Sequence, residues 1–173
     1  MPEKIYNVLF LCTGNSARSI LGEVLMNRDG AGRFKAYSAG SHPNGEVHPM
    51  ALETLTGLGF ATEGLRSKSW AEFTGPDAPE FDFIFTVCDN AAGETCPVWI
   101  GHPMTAHWGI ADPAAVEGFG QRQAFLDAVR YLRRRIELFL TLPLASLDAM
   151  ATTRKLKDIG RIEGATQPRE TTS

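Results

Sequence analysis

The sequence predicts an α/β fold: a single three-layer domain with a four-stranded parallel sheet flanked by helices, and an extra C-terminal helix. Three observations predict it. Four short β-forming runs are spread along the chain, segments with helical spacing lie between them, and Cys12, Cys88 and Asp112 each fall just after a run. Strands that alternate with helices build a parallel sheet, because parallel neighbours need a crossover. Such sheets bind ligands outside the carboxyl ends of their strands. The topology therefore gathers Cys12, Cys88 and Asp112 at one edge.

The elements follow in order. Ile5 to Leu11 (IYNVLFL) is a buried strand that breaks into Cys12-Thr-Gly-Asn. From Ser19 the spacing turns helical, with Ile20, Val24 and Leu25 on one face, until Gly30 and Gly32 stop it. Phe34 to Ala39 alternates like a strand. Pro49 suits a first helical turn, and Ala51, Leu52, Leu55 and Leu58 continue that helix toward Gly59. Ser67 to Phe73 caps and begins a short helix. Phe81 to Val87 (FDFIFTV) is the second strong strand and runs into Cys88. A loop from Asp89 to Gly101 holds Cys96-Pro97, and Pro103 to Trp108 is a weaker strand ending near Asp112-Pro113. Gln121 to Leu142 is a long amphipathic helix, with Phe125, Val129, Leu132, Ile136 and Phe139 on one side. Residues 1–142 thus make the α/β domain and 143–160 a helical extension. Residues 161–173 are polar and expected to be a flexible tail.

Bulk composition narrows the function. The chain has 173 residues, 43% apolar and 21% charged, as expected for one globular domain. A formal net charge of -3 argues against a nucleic-acid surface. No apolar run approaches the ~20 residues that span a bilayer. The start, MPEKIYNVLFLC, lacks the features of a secretory signal. A cytoplasmic location without membrane association is the expectation. Three cysteines in such a chain are then reactive, metal-binding or buried rather than structural disulfides.

Cys12-Thr-Gly-Asn-Ser-Ala-Arg-Ser19 sets a cysteine and an arginine at the ends of a loop between a strand and a helix. Successive N–H groups of Thr13, Gly14, Asn15, Ser16 and Ala17 can cradle a tetrahedral anion there. Gly14 is expected to allow the unusual dihedrals, and Arg18 to add a planar fork matched to two oxygens. The positive surroundings should depress the Cys12 pKa and favour thiolate, with Ser19 donating to the sulfur. Asp112, before Pro113, is a candidate acid to protonate a departing oxygen. Taken alone, Cys12 could be a buried small hydrophobe and Asp112-Pro113 a turn.

A strand followed by C-x5-R-S and a helix, with a late Asp-Pro, resembles the low-molecular-weight tyrosine phosphatase superfamily. Cys12-Thr-Gly-Asn-Ser, Val87-Cys88-Asp89, Cys96-Pro97 and His107-Trp108-Gly109 with Asp112-Pro113 are similar to its three-cysteine, thioredoxin-coupled arsenate reductase branch, over about residues 5 to 140. The resemblance implies that Cys12 attacks arsenate, that Arg18 and the loop amides hold its oxygens, and that Asp112 protonates the leaving oxygen. It implies next that Cys88 attacks Cys12, that Cys96 takes the disulfide from Cys88, and that an external thiol reductant restores the thiols. Thioredoxin is favoured over glutaredoxin with glutathione, because two resolving cysteines present the disulfide from within the chain. No tightly bound cofactor is implied, and phosphate or sulfate should compete for the cradle. A low-molecular-weight phosphatase would share Cys12, Arg18 and Asp112 but has no use for Cys88 and Cys96. A non-catalytic oxyanion-binding or redox-sensing module would not need Asp112.

Two departures from the branch stand out. Ala17 takes a place where some relatives have another cysteine. Some relatives also bind potassium through Asn, Glu, Ser and Asp side chains. Asn15, Glu23 and Ser38 look like three of these, but Ser67-Lys68-Ser69 offers Lys68 at the fourth, so no metal is expected. Cys88 and Cys96 lack the close spacing of a zinc pair. Arg130 with Arg133-Arg134-Arg135 reads as a solvated helix face. His42 and His48 read as loop residues, and Trp70, Trp99 and Trp108 as packing.

Overall fold

A computed structural model describes residues 4–88 and 103–166. Strands β1 (Tyr6–Cys12), β2 (Phe34–Gly40), β3 (Phe83–Thr86) and β4 (Met104–His107) form one sheet in the order β2-β1-β3-β4. All pairs are parallel, with Cys12 beside Gly40, Leu11 beside Thr86 and Thr86 beside His107. The helices are α1 (Arg18–Asp29), α2 (Pro49–Gly57), α3 (Gly120–Leu140) and α4 (Ala149–Gly160). The predicted short helix after Ser67 is a 3-10 turn at Trp70–Phe73, capped by the Ser69 hydroxyl.

Strand alternation divides the core. Val8, Phe10, Phe83 and Phe85 face a helical layer supplied by Leu21 and Leu25 of α1, Leu55 of α2, Phe125, Leu132 and Phe139 of α3, and Leu156 of α4. Leu9, Leu11 and Ile84 face the other way, under Tyr37, Trp70 and Phe73. Trp108 is fully buried and stacks on Phe85 at 3.7 Å between ring centroids, with Phe139 edge-on at 5.9 Å. Such aromatic pairs add about 1 kcal/mol each beyond the area they bury.

Two expectations need correction. Arg135 is not on a solvated face: it is fully buried, and its guanidinium donates to the carbonyls of Tyr131, Ile162 and Glu163. From α3 its side chain reaches the turn that follows α4, whose Ile162 and Glu163 carbonyls, with that of Tyr131, meet its charge. Residues 161–166 are not a loose tail either. Ala165 bridges Ile110 in antiparallel fashion, and the Thr166 amide donates to the Gly109 carbonyl at 3.0 Å. Backbone pairing decided this, which polar composition does not reveal.

Candidate active site

The sheet order explains why the site assembles here. β1 and β3 are neighbours, so the residues leaving their carboxyl ends lie side by side. The Val87 amide donates to the Leu11 carbonyl at 2.9 Å, and one residue later the Cys88 sulfur accepts from the Thr13 amide at 3.3 Å. Cys88 is buried, as is Cys12, and the Thr13 hydroxyl is 3.5 Å from the Cys88 sulfur. Beyond β4, Trp108 and Ile110 donate to the Thr86 and Val87 carbonyls. That pairing brings the Asp112 turn to the same edge.

The loop after Cys12 is held from outside. The Thr13, Gly14 and Ser16 carbonyls accept from the amides of His42, Asn44 and His48 at 2.9, 2.9 and 2.8 Å. The Ser67 hydroxyl also donates to the Gly14 carbonyl. With three of its carbonyls engaged by these groups, the loop turns the Asn15 amide to the Cys12 sulfur and the Thr13 amide to the Cys88 sulfur. The left-handed residue is Asn15 (φ 46°), not Gly14 as expected. Asn15 tolerates that conformation because its side chain is fixed at both ends: its amide donates to the Ser19 hydroxyl and its oxygen accepts from the Lys68 amide, both at 2.8 Å. Gly14 instead leaves room for the end of the Asn44 side chain, which a Cβ there would displace.

The Cys12 sulfur lies 2.8 Å from the Ser19 hydroxyl and accepts from the Asn15 amide at 3.2 Å. Its pKa is raised, contrary to expectation. Burial pushes the thiol up more than the Ser19 hydrogen bond and Arg18 pull it down, and the nearby Cys88 pushes it up as well. Arg18 contributes least of these, and its guanidinium is engaged with other groups: Nη1 donates to the Ile110 carbonyl at 2.9 Å, and Nη2 is 3.8 Å from Asp112 Oδ2. The other Asp112 oxygen accepts from the Ala114 amide, and the side chain is 41% exposed. Acid and arginine thus share one edge of the loop.

Beneath the loop, Glu23 and Ser38 come together as expected, and Lys68 joins them. The buried Lys68 ammonium is 3.6 Å from Glu23 Oε1 and 3.5 Å from Ser38 Oγ, and donates to the Arg66 carbonyl at 3.1 Å. Ser38 donates to the same Glu23 oxygen at 2.8 Å. The positive charge facing Glu23 is the chain's own, so this donor set does not fit an added potassium ion. Among the described residues no three His, Cys, Asp or Glu side chains converge as a metal site would need. Cys96, Trp99 and His102 lie outside the described residues. His48 acts as the cap of α2, its Nδ1 accepting from the Met50 amide, and Trp108 is a packing residue.

Sequence reasoning missed three participants. The 42–48 segment grips the loop, the Ile110 carbonyl holds Arg18, and the Lys68 amide fixes Asn15. Only the turn-rich Ser41-His-Pro-Asn-Gly45 run hinted at the first. The other two are backbone groups with no residue-type signature.

A cysteine at the end of β1, a loop closed by Arg18 and a four-stranded parallel sheet together point to a family. The chain belongs to the low molecular weight phosphotyrosine protein phosphatase family, which matches residues 7–150. Within that family it is similar to arsenate reductases. The arsenate reductase of Bacillus licheniformis is 33% identical over 125 residues, spanning 71% of this chain and 86% of the relative. That of Bacillus subtilis is 33% identical over 132 residues, spanning 75% and 89%. A solved arsenate reductase in the phosphate binding state superposes with a TM-score of 0.63 at 26% identity, over 77% of this chain and 95% of the other. No helix among the described residues is long and apolar enough to cross a membrane.

Proposed function

We propose that this chain reduces arsenate to arsenite by a thiol relay. One observation favours this over phosphomonoester hydrolysis: the Cys88 sulfur lies against Thr13, the residue next to Cys12. Hydrolysis through a Cys12-phosphate needs no second thiol there, whereas reduction does.

The proposed chemistry runs as follows. Arsenate enters the cradle of amides from Thr13 to Ala17, and Arg18 exchanges the Ile110 carbonyl for two of its oxygens. The Cys12 sulfur attacks arsenic, and Asp112 protonates the departing oxygen, which leaves as water. Before that attack Cys12 passes its proton to an oxygen of the bound arsenate dianion, and Ser19 stabilises the thiolate that forms. Cys88 then attacks the Cys12 sulfur. The sulfur–arsenic electron pair stays on arsenic, As(V) becomes As(III), and two thiols become the Cys12–Cys88 disulfide. Cys96 exchanges onto Cys88 and frees Cys12. Thioredoxin, in preference to glutaredoxin with glutathione, reduces the Cys88–Cys96 pair. The thiols carry both electrons, so the scheme calls for no tightly bound cofactor. A cytosolic setting suits it, because reductant systems keep thiols reduced there. Phosphate and sulfate match the cradle's geometry and should compete.

Arsenate-dependent NADPH oxidation, coupled to thioredoxin and thioredoxin reductase, tests the reading. The unaltered chain should turn over, Cys12→Ser should be inactive, and Cys88→Ser and Cys96→Ser should not cycle. A Cys88→Ser protein that kept its turnover would overturn the relay.

A further inference from the structure

We propose that residues 149–166 form a strap that positions the Gly109–Asp112 turn for reaction at Cys12, with Arg135 as its buried anchor. The idea rests on the arsenate reductase reading for its activity assay, and on the geometry for everything else. The family match ends at residue 150, so almost all of the strap lies outside the matched residues.

The strap meets the acid-bearing segment at consecutive points. The Trp108 indole donates to the Leu156 carbonyl at 3.0 Å. Gly160 packs so closely on the His107 carbonyl and Trp108 that a Cβ there would collide with both. The Thr166 amide donates to the Gly109 carbonyl, and Ala165 bridges Ile110. Ile110 in turn offers its carbonyl to Arg18, and Asp112 follows two residues later. The strap's contacts therefore end on the short stretch that carries Asp112, whose Ile110 carbonyl Arg18 leaves when it turns to an anion. Between α4 and that bridge, the chain is held by Arg135, which donates to the Ile162 and Glu163 carbonyls. Arg135 also has a buried Nε without a partner. A fully buried guanidinium is costly. Its place here is accounted for by what it ties down.

Removing everything after Leu147 would uncover Trp108 and confound folding with function. Thr166→Pro is the cleaner variant. It deletes the amide that reaches Gly109, and it biases Ala165 toward the extended backbone the bridge already has. The readouts are amide exchange at Ile110, kcat in the coupled assay, and the inhibition constant for phosphate. Ile110 exchange should quicken and kcat fall, each by about tenfold, since small misplacements of a reacting group are expensive. Phosphate inhibition should stay within about twofold. In an Asp112→Asn background the same change should cost less than about twofold, because the strap acts through Asp112. An equal loss in both backgrounds, or faster exchange with unchanged kcat, would overturn the proposal. So would unchanged Ile110 exchange. If the unaltered protein fails to reduce arsenate, the functional reading fails, and Ile110 exchange alone then decides whether the strap holds that turn.

Discussion

Cys12 is pulled in opposite directions by its surroundings. Burial favours the thiol, while Ser19, the Asn15 amide and, at a distance, Arg18 favour the thiolate. With burial ahead, the thiolate fraction should climb as pH rises past neutrality. Alkylation of Cys12 by iodoacetamide should accelerate through pH 9, and phosphate should slow it by filling the cradle. Ser19→Ala removes the main opposing hydrogen bond and should slow alkylation at pH 8 about tenfold or more, as hydrogen bonds to charged groups contribute about 1.5–3 kcal/mol. Stability follows the same sign. Below its ordinary value near 9 the thiol is protonated whether the chain is folded or not. Above it only the unfolded chain ionises freely, so the fold should lose stability as pH rises beyond 9. Cys12→Ser should abolish that slope in urea titrations. That Cys12, Arg18 and Ser19 fall together in one strand-to-helix loop was legible in the sequence because spacing and residue type sufficed. The pKa direction was not, because it depends first on how completely the folded chain buries the sulfur, which no local pattern signals.

At the scale of elements, the cradle depends on supports from two separate segments. The 42–48 amides grip the loop's carbonyls, Lys68 fixes Asn15 through its backbone, and the Lys68 ammonium meets Glu23 and Ser38 under β2 and α1. Lys68→Met leaves a mostly buried carboxylate without its cation, so the fold should weaken by about 3 kcal/mol. Adding Glu23→Gln should recover most of that loss in thermal or urea melts. Asn15→Ala would strand a left-handed residue without its two side-chain bonds, at about 1–3 kcal/mol. Gly in its place should recover the backbone part only. The strands and helices were readable from periodicity because each buries one face. The placement of Arg135 was not readable. Its three arginine neighbours on α3 suggested a wet surface, and the carbonyls that bury it come from residues 162 and 163.

Across the whole molecule, sheet order does most of the organising. Because β3 lies between β1 and β4, Cys88 lies between the Cys12 loop and the Asp112 turn. The C-terminal extension then closes on β4 through a contact that admits only glycine at 160. Gly160→Ala should loosen α4 and lower the melting temperature by several degrees, about 1–3 kcal/mol for an overpacked buried contact. Residues 161–166 read in the sequence as the start of a flexible tail over 161–173 because that stretch is polar. Their partners are backbone atoms more than fifty residues earlier, which no local pattern signals.

The central claim is that two neighbouring thiols supply the electrons that reduce an oxyanion held at Cys12. It is tested most directly by mixing fully reduced protein with arsenate and no other reductant, then measuring arsenite released and thiols lost. The account predicts about one arsenite per chain, two thiols consumed, and a disulfide that includes Cys88. Thiols that stay reduced, with no arsenite formed while the same protein hydrolyses p-nitrophenyl phosphate, would contradict it.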